Sequence, residues 1–214
     1  MDKLTIALPK GRLFDPVVEI LREAGVVNRE LDDDSRKLIL EDEQLEIDFL
    51  LSKAVDVHTY VEHGVADLGV VGKDVLLEAG ASVYEVLDLE LGSCRLVVAI
   101  PEEAGITSLE ELPSTGRVAT KYVNVAQEFF DQQGIQTEIV KLNGSIEMAP
   151  LVGLSDMIVD ISSTGRTLRE NNLIEIAEIA RSSARLITNR VSYKTQHQRI
   201  KNIIDDVKAV ISKQ

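Results

Sequence analysis

The chain has 214 residues, 44% of them hydrophobic, which is enough for one large or two small domains with a real core. A formal net charge of −13 argues against a nucleic-acid-binding or anionic-membrane surface, so any polyphosphate ligand must be met by local basic groups or by metal. The single cysteine, Cys94, excludes an internal disulfide and a cysteine zinc cluster, and in the run LGSCRLVVAI it reads as a core thiol.

The first apolar run, Leu4 to Leu8, stops at Pro9-Lys10, and no stretch reaches membrane-spanning length. No leader peptide and a cytoplasmic location are therefore expected. Lys3–Leu8 predicts a strand, Pro9-Lys10-Gly11-Arg12 a loop, and Asp15 the cap of a helix with Pro16 at its first position and Gly25 at its end. The acidic cluster Asp32-Asp33-Asp34 reads as a solvated turn. Arg36–Leu40 and Leu45–Leu51 predict two strands about an Asp-Glu turn, followed by a loop at Ser52-Lys53-Ala54-Val55. Asp56 caps a short helix closed by Gly64, Ala66–Val71 is a buried strand, and Gly72-Lys73-Asp74 is the loop after it. A helix over Val75–Ala79 and a strand over Val83–Leu89 complete this part.

After the apolar run Leu91–Ile100 the pattern starts over. Arg117–Thr120 is a strand, Val125–Gln133 a helix, Gln136–Leu142 a strand and Ile146–Val152 a short helix. Met157, Ile158, Val159 and Ile161 form a buried strand around Asp160, and the polar loop Ser162-Ser163-Thr164-Gly165 opens a helix at Arg166. Ala184–Asn189 is a further strand. Ile200, Ile203, Ile204, Val207 and Ile211 mark one face of a closing helix. The segment Gly64–Val70 matches Gly153–Val159 as G-x-small-D-apolar-x-V, each after a strand, a loop and a short helix. A repeat of roughly ninety residues predicts two similar α/β lobes facing a cleft, with boundaries at residues 1–91 plus 185–214 and 92–184.

A Ser/Thr/Gly loop feeding a helix supplies N–H and hydroxyl donors that suit a phosphate; the plainer reading is an ordinary βα turn with a polar cap. Asp160 stands at the carboxyl end of its strand, where ligands of open α/β sheets bind. Glu147 is either a ribose or magnesium ligand beside it or an exposed carboxylate at a helix start. Lys10, Gly11, Arg12, Lys53, Gly72, Lys73 and Asp74 sit at strand ends of the first lobe and together form a basic group suited to polyphosphate. Asp67 and Asp156 read as bracing their turns rather than acting on substrate. His58, His63 and His197 lack metal-ligand spacing, and no nucleophile elbow, P-loop or dinucleotide fingerprint is present. The parts suit phosphoribosyl transfer, in which a displacement at the anomeric carbon depends on positioning and charge stabilisation. The rival is a two-lobed module that senses a small anion without chemistry.

The motifs LPKGRL at Leu8–Leu13, GVADLGVVGKD at Gly64–Asp74 and NGSIEMAPLVGLSDMIVDISSTGRTL at Asn143–Leu168 resemble those of the short-form ATP phosphoribosyltransferases of histidine biosynthesis. The Asp160–Thr167 loop is also similar to that of the nucleobase phosphoribosyltransferases, but Asp160-Ile161 lacks their paired acids. The resemblance implies a fold like the type II periplasmic binding proteins. It implies that N1 of ATP attacks C1 of phosphoribosyl diphosphate with inversion, releasing pyrophosphate, with Mg2+ required. By motif match, Asp160, Ser162, Ser163, Thr164, Gly165, Arg166 and Thr167 would hold the phosphoribosyl group, with Glu147 near the ribose. Asp160, Arg166 and Glu147 would carry catalysis, and Glu147 and Asp160 an indirect metal contact. Lys10, Gly11, Arg12, Lys53, Gly72, Lys73 and Asp74 would lie on the ATP side. The resemblance further implies that the C-terminal regulatory domain of long forms is absent, and that a partner similar to histidyl-tRNA synthetase completes a hetero-oligomer.

Overall fold

Residues 3–33 and 36–213 are described by the computed structural model of the chain; Asp34, part of the expected acidic turn, lies outside them. The first elements are β1 (Leu4–Lys10), α1 (Phe14–Glu23), β2 (Ile39–Asp42), β3 (Ile47–Lys53), α2 (Val57–Glu62), β4 (Leu68–Gly72), α3 (Lys73–Ala79) and β5 (Tyr84–Asp88). Next come β6 (Cys94–Pro101), two short 3-10 turns, β7 (Thr115–Thr120), α4 (Val123–Gln133), β8 (Gln136–Lys141), α5 (Met148–Leu151), β9 (Met157–Ser162), α6 (Arg166–Glu170) and β10 (Leu173–Ser182). The chain closes with β11 (Ala184–Thr188), α7 (Ser192–Thr195) and α8 (His197–Ile211). It divides into two compact units. Unit one comprises the described residues of Met1–Leu76, Gly80–Gly92 and Ser183–Gln214; unit two comprises Leu77–Ala79 and Ser93–Ser182.

In unit one the sheet order is β2-β3-β1-β4-β11-β5. β3, β1 and β4 run parallel, while β11 is antiparallel between β4 and β5. Alternation along β1 explains why the sheet is covered on both faces: Leu4, Ile6 and Leu8 enter one core with α1 and α8, and Ala7 enters another with α2 and α3. Gly69 in β4 lets α2 approach, since a Cβ there would lie 2.7 Å from Val61 and 2.9 Å from Val57. Unit two repeats the plan with sheet order β10-β6-β9-β7-β8. Its β8, β7 and β9 are parallel and β6 is antiparallel to β9. Leu96, Val98, Val118, Met157 and Val159 face α4, whereas Val97, Ala99, Ala119 and Ile158 face Ala149 of α5 and Leu168 of α6. Cys94 is buried, as its apolar setting predicts.

Several local expectations change. Helix α1 begins at Phe14, so Asp15 is inside its first turn and Leu13 occupies the cap position without a side-chain cap. The Phe14 N–H donates to the Gly11 carbonyl at 2.8 Å, and the chain is already winding before Asp15. Pro16 still falls where helical N–H groups have no partner, so it is tolerated. The Arg36–Leu40 and Leu45–Leu51 strands start later, at Ile39 and Ile47; the second does so because Asp42 Oδ1 accepts the Gln44 and Leu45 N–H groups and draws Leu45 into the turn. No loop separates β4 from α3. Gly72 is extended, Lys73 already starts the helix, and the Lys73 N–H donates to the Ser183 carbonyl at 3.0 Å. Strand pairing also carries β1 through Lys10 and β3 through Lys53, residues expected in loops.

Candidate functional site

The candidate residues of unit two gather where parallel strands end. β9 finishes at Ser162, and Ser163, Thr164 and Gly165 turn the chain into α6. Gly165 adopts φ 70° and is buried, a conformation and a space that favour glycine. A Cβ on Gly165 would lie 2.7 Å from Arg169 Nη1 and 3.2 Å from Glu175 Oε1. On the β8 side, Ser145 takes φ 49° and sends Ile146 into the core, which leaves Glu147 half-buried at the start of α5. Glu147 and residues 161–168 line one cavity of about 70 Å3. The motif residues Glu147, Ser162, Ser163, Thr164, Gly165, Arg166 and Thr167 are therefore brought together.

Asp160 does not line that cavity, although strand alternation puts it on the sheet face of Ile158 and Ser162, the face that carries α5 and α6. Arg166 is exposed, and its Nε donates to Glu170 Oε1 at 2.7 Å. An exposed i,i+4 pair of this kind is weak and exchanges readily for a stronger anion.

Sequence reasoning missed two residues here, Glu175 and Arg95. The Ser162 hydroxyl donates to Glu175 Oε1 at 2.6 Å, and Arg95 Nη2 meets Glu175 Oε2 at 2.8 Å. Arg95 is the cross-strand partner of Ser162 in the β6–β9 pairing. Beside them, Arg181 donates to Glu178 at 2.9 Å. That bond, opposed by partial burial and assisted by Arg95, holds the Glu178 carboxyl below its ordinary value.

In unit one the expected basic group also collects at the carboxyl ends of parallel strands. Lys10 and Lys53 are register partners in the β1–β3 ladder, and β4, on the other side of β1, ends at Gly72. Gly11 has φ 91°, and its N–H donates to Asp33 Oδ2 at 2.7 Å. Arg12 and Lys53 are exposed. Lys73 instead turns to Glu85 of β5 in an ion pair. Asp74 folds back over Gly72, its Oδ1 filling the space a Cβ there would take. Among the described residues no group of three or more His, Cys, Asp or Glu converges as a metal cage. No described helix is long and apolar enough to cross a membrane.

The sequence model of the family described as HisG, ATP phosphoribosyltransferase, matches residues 53–209. The chain is 56% identical over 212 residues to the ATP phosphoribosyltransferase of Caldanaerobacter subterraneus subsp. tengcongensis, covering 99% of each chain. It superposes on the solved ATP phosphoribosyl transferase (HisG:HisZ) complex from Thermotoga maritima with a TM-score of 0.86, at 36% identity and with 99% and 100% of the two chains covered. At 14% identity it also shares a fold with the substrate-binding protein of an amino acid ABC transporter, with a TM-score of 0.59 over 98% of this chain and 91% of that one. The periplasmic-binding-protein-like α/β fold implied by the sequence motifs is thus the observed one. By these matches, the chain belongs to the ATP phosphoribosyltransferase family.

Proposed function

We propose that unit two holds phosphoribosyl diphosphate and that the strand ends of unit one hold ATP. As a member of its family the chain transfers the phosphoribosyl group from phosphoribosyl diphosphate to N1 of ATP, the first step of histidine biosynthesis. The observation that carries the assignment within unit two is the cavity shared by Glu147 and the 161–168 segment. Backbone N–H groups at Ser163, Thr164 and Gly165, with the hydroxyls of Ser163, Thr164 and Thr167, meet the 5′-phosphate. Ser162 stands at the base of this loop. Glu147 and Asp160 accept bonds from the ribose hydroxyls. Arg166 leaves Glu170 and meets the diphosphate as negative charge develops on it.

In the displacement the lone pair of adenine N1 forms the new bond to C1 while the C1–O bond to pyrophosphate breaks and its electrons leave with pyrophosphate. N1 carries no proton to be removed, so the protein orients the reactants and stabilises charge. On the ATP side, Lys10, Gly11, Arg12, Lys53, Gly72, Lys73 and Asp74 surround the triphosphate, with Lys73 exchanging Glu85 for phosphate.

Glu147 at the start of α5 and Asp160 on the sheet face that carries α5 would hold a magnesium ion only in part, since Mg2+ commonly takes few protein ligands when phosphates are present. Bound there, Mg2+ would neutralise part of the diphosphate charge.

The relative from Thermotoga maritima was solved as a HisG:HisZ complex. That, with the motif resemblance, supports a histidyl-tRNA-synthetase-like partner for this chain, and a cytoplasmic setting follows from the substrates. The sensing-module reading is not favoured, since the family model spans Lys53, residues 72–74 and the β9 loop, and the match to the ATP phosphoribosyltransferase relative covers 99% of the chain.

Turnover with ATP, phosphoribosyl diphosphate and magnesium, drawn forward with pyrophosphatase and followed by the ultraviolet change of N1-substituted adenine, tests the assignment. Glu147→Gln and Asp160→Asn should each lower kcat/KM for phosphoribosyl diphosphate at least about tenfold, with or without the partner. Wild-type efficiency in both folded variants would remove these carboxylates from the site.

A further inference from the structure

Glu175 stands thirteen residues beyond Ser162, on β10, and two contacts converge on it. One carboxylate oxygen takes the Ser162 hydroxyl proton at 2.6 Å, and the other meets Arg95 at 2.8 Å. The first of these oxygens also lies 3.2 Å from the Cβ position of Gly165, so the carboxylate underlies both ends of the Ser162–Gly165 loop. A serine hydroxyl has one proton to give. Ser162, only 4% exposed, directs it inward to Glu175 and so has none for a phosphate. Unit one uses the same arrangement as an anchor: Asp88 accepts the Ser183 hydroxyl at 2.7 Å on one oxygen and meets Arg185 at 3.0 Å on the other.

A carboxylate under an anion-binding loop repels the anion unless it is neutralised. Arg95 supplies that neutralisation. We propose that Glu175 is the positioning residue of the phosphoribosyl-diphosphate loop, with Arg95 as its counter-charge, and that Ser162 anchors the loop instead of contacting phosphate. The proposal rests on the assignment of this loop to phosphoribosyl diphosphate. Glu175 touches neither substrate. It fixes the loop so that the donors of Ser163, Thr164 and Gly165 point outward, and Arg95 offsets its charge.

Steady-state kinetics on the full chain, varying each substrate in turn, test it. Ser162→Ala and Glu175→Ala should each raise KM for phosphoribosyl diphosphate about tenfold, the effect of one lost hydrogen bond to a charged group, while KM for ATP stays within about twofold. The double variant should be about as impaired as either single one, because both act through one bond. Arg95→Met should be worse than Glu175→Ala, since it strips Glu175 of its ion-pair partner beneath the phosphate. Adding Glu175→Gln to Arg95→Met should bring KM back to within about threefold of wild type by removing that charge.

An unchanged KM for phosphoribosyl diphosphate in Ser162→Ala and Glu175→Ala, an equal rise in both KM values, or no rescue of Arg95→Met by Glu175→Gln would overturn the proposal. If Glu175→Ala does not fold, Ser162→Ala and the rescue of Arg95→Met by Glu175→Gln carry the comparison. Thr164→Ala and Asp160→Asn separate the two levels of the claim. If they also leave this KM unchanged, the loop assignment itself falls. If they raise it while the Ser162 and Glu175 variants do not, the positioning role alone falls.

Discussion

Asp67 and Asp156 hold the same place in the two units. The Asp67 N–H donates to the Thr5 carbonyl at 2.8 Å and its Oδ2 accepts the Thr5 N–H at 2.8 Å. The Asp156 N–H donates to the Arg117 carbonyl at 2.9 Å and its Oδ2 accepts the Arg117 N–H at 2.7 Å. Each aspartate locks the start of one parallel strand, β4 or β9, to its neighbour, β1 or β7. Asp67→Ala orphans a part-buried Thr5 N–H and should cost about 1–3 kcal/mol in urea unfolding. Asp156→Ala should cost less, because the Arg117 N–H is exposed and reaches water, whereas Asp67 also accepts Gln196 Nε2 at 3.2 Å. Equal losses would show that the two braces do not differ in burial.

Gly165→Ala should separate loop geometry from overall folding. Its left-handed φ of 70° costs a side chain about 1–2 kcal/mol. The added Cβ also displaces Arg169 and crowds Glu175. The expected result is a rise of about tenfold or more in KM for phosphoribosyl diphosphate with KM for ATP nearly unchanged, read from initial rates.

Arg166→Ala should act on turnover and hardly on stability. The Arg166–Glu170 pair is exposed, and such pairs contribute about 0–1 kcal/mol. Losing a cation that meets departing pyrophosphate should lower kcat about 10²-fold or more. A thermal melt beside the rate measurement checks both halves; an unaltered kcat would leave Arg166 as a helix-surface residue.

Acid should weaken the chain through carboxylates such as Glu178 and Glu41. The hydrogen bond from Arg181 to Glu178 and that from Lys3 to Glu41 hold these carboxyls below 4.5 in the folded chain. Their stabilisation is therefore complete above the unfolded value and fades as pH falls through the folded one. Lys3 behaves oppositely: its raised pKa gives a contribution present below 10.5 and lost as pH climbs past the folded value. In urea midpoints measured across pH, Glu178→Gln should be slightly less stable than wild type at pH 7 and converge with it in acid.

Short-range patterns made much of this legible. The repeated G-x-small-D-apolar-x-V segments marked the Asp67 and Asp156 braces, and the run from Asn143 to Leu168 marked the Glu147 cavity, because those residues meet through elements adjacent in the chain. Glu175 was not legible. Its position opposite β6 depends on antiparallel pairing with two register shifts, at Glu175/Ala177 and Glu178/Ala180, which no local periodicity encodes. Gly72-Lys73-Asp74 reads as a loop in the sequence, yet the strand and helix join there directly and the Lys73 side chain pairs with Glu85 on β5. Asp15 looked like a cap because Asp-Pro is a helix-start signal, but burial of Phe14 and the Gly11–Phe14 turn begin the helix earlier.

Equilibrium binding of each substrate by calorimetry, on wild type and Asp160→Asn in the presence of magnesium, addresses the β9 loop most directly. If that loop holds phosphoribosyl diphosphate, the variant should lose at least about tenfold in affinity for it, about 1.4 kcal/mol, while its ATP affinity stays within about twofold. Unchanged affinity for phosphoribosyl diphosphate together with weakened ATP binding would contradict the assignment and move the phosphoribosyl site to unit one.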